Sequence, residues 1–74
     1  MNHEEMKQEI YDWIMNDEGL YNLYLNGTEW DMGVAIINAH AMIEKATGEY
    51  HNVSRELIEE LTEQLLTERK EEME

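Results

Sequence analysis

Apolar side chains recur three and four residues apart along most of this chain, and this spacing is typical of amphipathic helices. The apolar face of the first segment consists of Met6, Ile10, Trp13 and Ile14. Asn2 is suited to cap this helix, with Glu5 three residues later as in a capping box. The pattern stops at residues 16–19, where Asn16 or Asp17 can cap the next helix.

The second segment is short and admits two interpretations. Leu20, Leu23 and Tyr24 form a helical apolar face, and Gly27 can end that helix in the left-handed conformation. Residues 20–25 also fit a strand, since Asn-Gly is a strong hairpin turn. The residues from Thr28 onward read as a helix start rather than a returning strand, so we favour the helix.

The third segment, residues 30–46, is the longest stretch with few charges, and Thr28 and Gly48 are suited to begin and end it as a helix. Its apolar residues fall on two stripes when wound at the helical period. The broad stripe is Met32, Ala35, Ile36, Ala39, Ile43 and Ala46. The second stripe is Trp30, Val34, Ile37 and Ala41. Two stripes predict packing partners on two sides and place this helix at the centre of the fold.

The last segment begins after Ser54 or Asn52, either of which can act as its N-cap. Its apolar face consists of Leu57, Ile58, Leu61 and Leu65, flanked by Leu66. Acids interrupt this face after Leu66, so residues 68–74 are expected to fray. The sequence therefore predicts an all-α fold: a single helical domain, residues 1–74, built as a small bundle of three long helices and one short helix. The residues expected in its core are Trp13, Ile36, Ile37, Ile43, Leu57 and Leu61.

The net charge of the chain excludes more classes of function than any sequence motif does. Eighteen Asp and Glu residues face five Lys and Arg residues, which gives a formal net charge of −13. Such a protein repels nucleic acid and anionic membranes and attracts cationic surfaces. We therefore expect a cationic protein partner, and no direct binding to nucleic acid or membrane. The acidic N-terminus lacks the apolar run of a signal peptide, so the expected location is the cytoplasm.

Catalytic and metal-binding patterns are weak. His40 and Glu44 are four residues apart on a helix, but no second His or Cys lies near them in the sequence. The chain has no cysteine, and Ser54, its only serine, is better explained as a helix cap. We therefore expect no enzyme activity, no cofactor and no metal site.

The acidic surface is the remaining candidate for function. Rows of helical carboxylates can imitate the phosphates of a duplex and occupy a nucleic-acid-binding groove. The candidate residues for such binding are Glu56, Glu59, Glu60 and Glu63 of the last helix and Glu5 and Asp12 of the first. The alternative is that these acids only keep a small protein soluble. The two apolar stripes, together with partly exposed Tyr11 and Met15, further suggest a homodimer.

One stretch, residues 10–21, resembles a segment of small acidic bacteriophage proteins. The resemblance lies in the Trp-Ile pair at the end of a helix, followed by Asn16-Asp17-Glu18-Gly19-Leu20-Tyr21. It implies a short, acidic, non-enzymatic phage product of a kind that often binds and inhibits a host protein, and it does not specify the target. Together with the acidic face, it leads to the hypothesis of an inhibitor that acts in the host cytoplasm on a nucleic-acid-processing or defence protein. The alternative is a small helical interaction or regulatory module that dimerises through apolar faces without charge mimicry.

Overall fold

A computed structural model describes residues 2–49 and 51–72 as four helices. They are α1 (His3–Asn16), α2 (Glu18–Asn26), α3 (Glu29–Thr47) and α4 (Arg55–Glu72). The predicted all-α bundle of three long helices and one short helix is confirmed. The described residues contain no strand, so the hairpin interpretation of residues 20–25 is wrong.

Short polar side chains set the helix boundaries. The Asn2 Oδ1 atom accepts a hydrogen bond from the Glu5 amide at 2.8 Å, which caps α1 as expected. Asp17 separates α1 from α2 and caps α2 through its carboxylate, which accepts from the amide of Leu20. A full capping box between Thr28 and Asp31 begins α3. Each cap satisfies an amide that would otherwise lack a helical partner.

Two glycines follow helix ends for different reasons. Gly48 ends α3 in the left-handed conformation, with φ of 74°, as predicted. Gly27 was expected to do the same after α2, but its backbone is extended, with φ of −86°. A Cβ atom at Gly27 would approach the Leu23 carbonyl oxygen to 2.4 Å and the Asp31 Cβ atom to 2.5 Å. Glycine is therefore required at this position by close packing rather than by backbone conformation.

The core forms around α3, which packs against each of the other three helices. Its broad stripe is buried from Met32 to Ile43, whereas Ala46 at its end is exposed. The other helices contribute Met6, Ile10, Ile14, Leu20, Tyr24, Leu57, Leu61 and Leu65 to the same cluster. The predicted burial of Ile36, Ile43, Leu57 and Leu61 is thereby confirmed.

The second stripe of α3 does not pack as predicted. Ile37 is 56% exposed and Trp30 is 79% exposed, so the expectation that Ile37 lies in the core is wrong. The reason is that α1, α2 and α4 all pack against the broad stripe, which leaves the side of α3 that carries the second stripe facing outward. Trp13 is only half-buried, and its indole N–H donates to the Met42 sulfur at 3.2 Å. Tyr11 and Met15 are half-buried against the core.

Polar contacts extend α4 beyond its apolar face. The Tyr11 hydroxyl donates to the Glu68 carboxylate at 2.7 Å. The Arg69 guanidinium donates to the carbonyl oxygens of Tyr24 and Gly27, at 3.3 and 2.6 Å. The expectation that residues 68–74 fray is therefore corrected for residues 68–72, which are helical. Residues 73 and 74 lie outside the described part of the chain.

Candidate functional site

An open groove with a volume of about 760 Å³ lies between α3 and α4. Its apolar lining comes from Trp30, Val34 and Ile37 of α3 and from Ile58 and Leu66 of α4. Gly33 and Thr62 also line it. Because the groove combines an apolar lining with the exposed side chains of Trp30 and Ile37, it is the first candidate for binding.

Gly33 contributes to the groove by lacking a side chain. A Cβ atom placed there would meet nothing within 4 Å among the described residues. Glycine inside a helix costs about 1 kcal/mol relative to alanine. The chain therefore has an unfavourable residue at a position where packing does not require it, and the result is open space beside Trp30 and Ile37.

Carboxylates stand at the rim of this apolar groove. Glu29 belongs to the α3 side, and Glu59 and Glu63 belong to the α4 side. Arg55 donates to the Glu59 carboxylate at 3.1 Å, but both side chains are largely exposed, so the ion pair is weak. Glu56 lies one turn before Glu59 and is also exposed. Three of the predicted binding residues are therefore exposed along the outer side of α4, and two of them border the groove.

Glu60 instead joins α4 to α1. Its carboxylate lies 2.7 Å from the His3 Nε2 atom and 3.5 Å from the Lys7 ammonium. The hydrogen bond with His3 is the largest cause of the lowered pKa of the Glu60 carboxyl. Desolvation, the next in size, opposes it, and the charges of His3 and Lys7 lower the pKa by smaller amounts. Glu60 thus has partners on α1, whereas Glu59 at the groove pairs with the exposed Arg55 of its own helix.

The two predicted binding residues of α1 lie apart from the α4 row. Glu5 accepts a hydrogen bond from the Asn2 side chain, and Asp12 accepts one from the Gln8 side chain. Asp12 borders a small depression beside Trp13. Both acids are exposed, but their hydrogen bonds are local to the start of the chain and to α1. The structure therefore brings together Glu56, Glu59 and Glu63 and does not join Glu5 or Asp12 to them.

Two groups of His and Glu side chains bear on metal binding. Ligand atoms of His3, Glu4 and Glu60 lie within 4.8 Å of one another. The Lys7 ammonium, 3.4 Å from Glu4 and 3.5 Å from Glu60, already supplies positive charge there. His40 lies 3.5 Å from the Glu44 carboxylate, and its Nε2 atom is buried without a hydrogen-bond partner among the described residues. The His40–Glu44 pair supplies two ligands, fewer than the three protein ligands of a catalytic zinc site, and the ammonium of Lys7 competes with a cation for the His3–Glu4–Glu60 group.

Sequence reasoning found the acids of α4 but missed the groove beside them. The signal is present in the sequence, because Trp30, Val34 and Ile37 form a separate stripe, but periodicity alone does not distinguish a buried stripe from an open one. No protein-family model, curated protein or solved structure matches this chain. Among the described helices, none has the length and apolar composition needed to cross a membrane.

Proposed function

We propose that this protein is a non-enzymatic, acidic inhibitor that binds a cationic, nucleic-acid-binding protein through the outer side of α4. The observation that carries the proposal is the exposed row of Glu56, Glu59 and Glu63. With a rise of about 1.5 Å per residue, these carboxylates follow one another at about 5 Å intervals along the helix axis. The phosphates of one DNA strand follow at about 3.4 Å. The negative charges of the row are thus spaced roughly like the phosphates of one strand of a duplex.

Few cations are left to neutralise this row from within the chain. Of the five Lys and Arg residues, Arg55 pairs with Glu59 of the row, but this exposed ion pair is weak. Lys7 lies between acids of α1 and α4. Arg69 binds backbone carbonyl oxygens at the α2–α3 connection. Like charges three and four residues apart destabilise a helix by about 0.2–0.5 kcal/mol per pair. A cationic partner would remove this repulsion, and this favours a binding role for the acids over a purely solubilising one.

The resemblance of residues 10–21 to small phage proteins supplies the biological setting of the proposal. An acidic phage product that occupies the nucleic-acid-binding surface of a host enzyme would block that enzyme without any chemistry of its own. It would act in the cytoplasm of the host cell, where nucleic-acid-processing and defence proteins are found. The partner is therefore expected to have a basic surface that otherwise binds nucleic acid.

The second candidate function is a helical interaction module that dimerises through its apolar faces. The exposed side chains of Trp30 and Ile37 favour it. Ionic strength separates the two functions, because exposed charge pairs are screened by salt and apolar contacts are not. Inhibition by charge mimicry predicts a partner affinity that falls steeply with salt, whereas apolar dimerisation predicts little change.

The test is to recover the partner from host lysate and measure its affinity for the parent and for the triple variant Glu56→Lys, Glu59→Lys and Glu63→Lys. None of these residues is in the core, so the variant should fold. A matched control reverses Glu9, Glu49 and Glu71, which are also exposed and give the same change in net charge. We expect loss of binding in the first variant and only a modest decrease in the second. Equal affinity of the parent and the first variant would reject the α4 row as the binding site.

A further inference from the structure

The outward face of α3 has the spacing of a surface that receives another helix. Trp30, Gly33, Val34 and Ile37 stand at positions i, i+3, i+4 and i+7, so they line one side of α3 over two turns. All four border the groove. Large side chains at the two ends of this set flank the space left by Gly33, where an added Cβ atom would meet no neighbour within 4 Å.

The opposite wall has a matching periodicity. Ile58, Thr62 and Leu66 of α4 lie four residues apart and face the same groove. Two such walls leave a trough whose length along α3, from Trp30 to Ile37, is about 10 Å. An amphipathic helix presents its apolar anchors over the same distance when they occupy i, i+3 or i+4, and i+7. The trough therefore matches two turns of a helix.

The acidic residues at the rim of the α3–α4 groove indicate what kind of helix would bind there. Glu29 borders the trough on α3, and Glu59 and Glu63 border it on α4, so an occupant meets carboxylates on both sides of its apolar face. We propose that the α3–α4 groove binds an amphipathic basic helix of the partner, with apolar anchors over Gly33 and with Lys or Arg residues paired to these acids. This inference rests on the proposed function and names the segment of the partner that is recognised.

Other occupants fit the surface less well. A second copy of this chain would bring two net charges of −13 together and set acids of the rim against acids. An anionic membrane surface would meet the same repulsion. An uncharged small molecule would not form ion pairs with the carboxylates of Glu29 and Glu63 at the rim. A basic helix alone uses both the apolar trough and its acidic rim.

A direct test uses a synthetic peptide of about 18 residues, long enough to form a helix. The peptide contains only Leu and Lys, with Leu at i, i+3, i+4 and i+7; a control peptide has the same composition in an order without an apolar face. Trp30 is the reporter, in a Trp13→Phe background whose folding is checked by circular dichroism. We expect the amphipathic peptide to shift Trp30 emission to the blue and to protect it from acrylamide. The control peptide should bind about tenfold more weakly.

Variants of the protein then locate the peptide. Ile37→Gln removes an exposed apolar side chain from the groove and should weaken binding of the amphipathic peptide about tenfold. Ala41→Gln, one turn farther along α3, is exposed and does not line the groove, so it should leave the affinity unchanged. Equal binding of the two peptides, with no effect of Ile37→Gln, would overturn the groove proposal. In that case loss of partner binding in the triple Lys variant would still support the acidic row.

Two further outcomes would also overturn the groove proposal. One is the absence of any Trp30 response to the amphipathic peptide, while the recovered partner still binds the parent protein. The other is a blue shift of Trp30 emission that grows with protein concentration alone, together with a dimer mass in sedimentation. That result would identify a second copy of the chain as the occupant.

Discussion

Gly33→Ala is expected to stabilise this protein. Gly33 lies inside α3, where alanine is favoured over glycine by about 1 kcal/mol. Because a Cβ atom there would meet nothing within 4 Å among the described residues, no steric cost offsets this gain. For a domain of this size, 1 kcal/mol corresponds to a rise in melting temperature of roughly 4–8 °C.

Gly27→Ala is the matched control, because it adds the same methyl group where there is no room. Its Cβ atom would meet the Leu23 carbonyl oxygen and the Asp31 Cβ atom, and these are fixed by α2 and α3. Overpacking of this kind typically costs about 1–3 kcal/mol. Thermal and urea unfolding followed by circular dichroism would measure both variants. If Gly33→Ala melts below the parent protein, the space beside Gly33 is filled in solution and the account of an open groove is wrong.

Whether Gly33→Ala raises or lowers the stability of the protein also bears on its function. Stabilising substitutions are easy to find in natural proteins, and their recurrent cost is lost function where the original residue serves it. A Gly33→Ala variant that is more stable than the parent would show that folding does not require glycine at this position. That result would be consistent with the open groove that we propose as a binding site.

Two further predictions concern the core and the response to alkaline pH. Ile36→Ala should lower the free energy of unfolding by about 2–5 kcal/mol, whereas the exposed neighbour Ile37→Ala should change it by less than about 0.5 kcal/mol, as measured by urea unfolding. Equal effects would contradict the one-sided packing of α3. The hydrogen bond to Glu68, followed by burial, raises the pKa of Tyr11 from 10.0 to about 12. Burial, followed by the charges of Glu72 and Glu68, raises the pKa of Tyr24 from 10.0 to about 12. Because both pKa values are higher in the folded state than in the unfolded state, the fold is stabilised as long as the two hydroxyls stay protonated. This contribution to stability is complete below pH 10 and is lost as pH rises through about 12. Melting temperatures from pH 9 to 12 should therefore fall less steeply in Tyr11→Phe than in the parent, and parallel curves would refute the linkage.

Local chemistry made the helices predictable. Asn2, Asp17, Thr28 and Gly48 each act where the sequence placed a cap or a stop, because a cap involves only residues within one turn. Ser54 likewise accepts a hydrogen bond from the Leu57 amide and begins α4. The same reasoning failed at Gly27, where the constraint comes from two neighbouring helices rather than from the turn itself.

Tertiary contacts explain the remaining differences from the predictions. Periodicity shows that Trp30 and Ile37 share a side of α3, but it carries no information about which helices cover that side. The lack of apolar residues at the end of α4 predicts fraying. Glu68 and Arg69 instead contact the rest of the fold through hydrogen bonds. Such contacts join residues more than forty positions apart, and no local pattern predicts them.

The acidity and the open groove have a common physical consequence. An exposed tryptophan beside an apolar trough would promote self-association in a neutral protein. Here each copy has a net charge of −13, and acids border the trough on both sides, so repulsion opposes the approach of a second copy. The same charges would attract the basic helix that we propose as the occupant. Discrimination between partners can come from attraction to one or from repulsion of another, and an acidic rim would provide both.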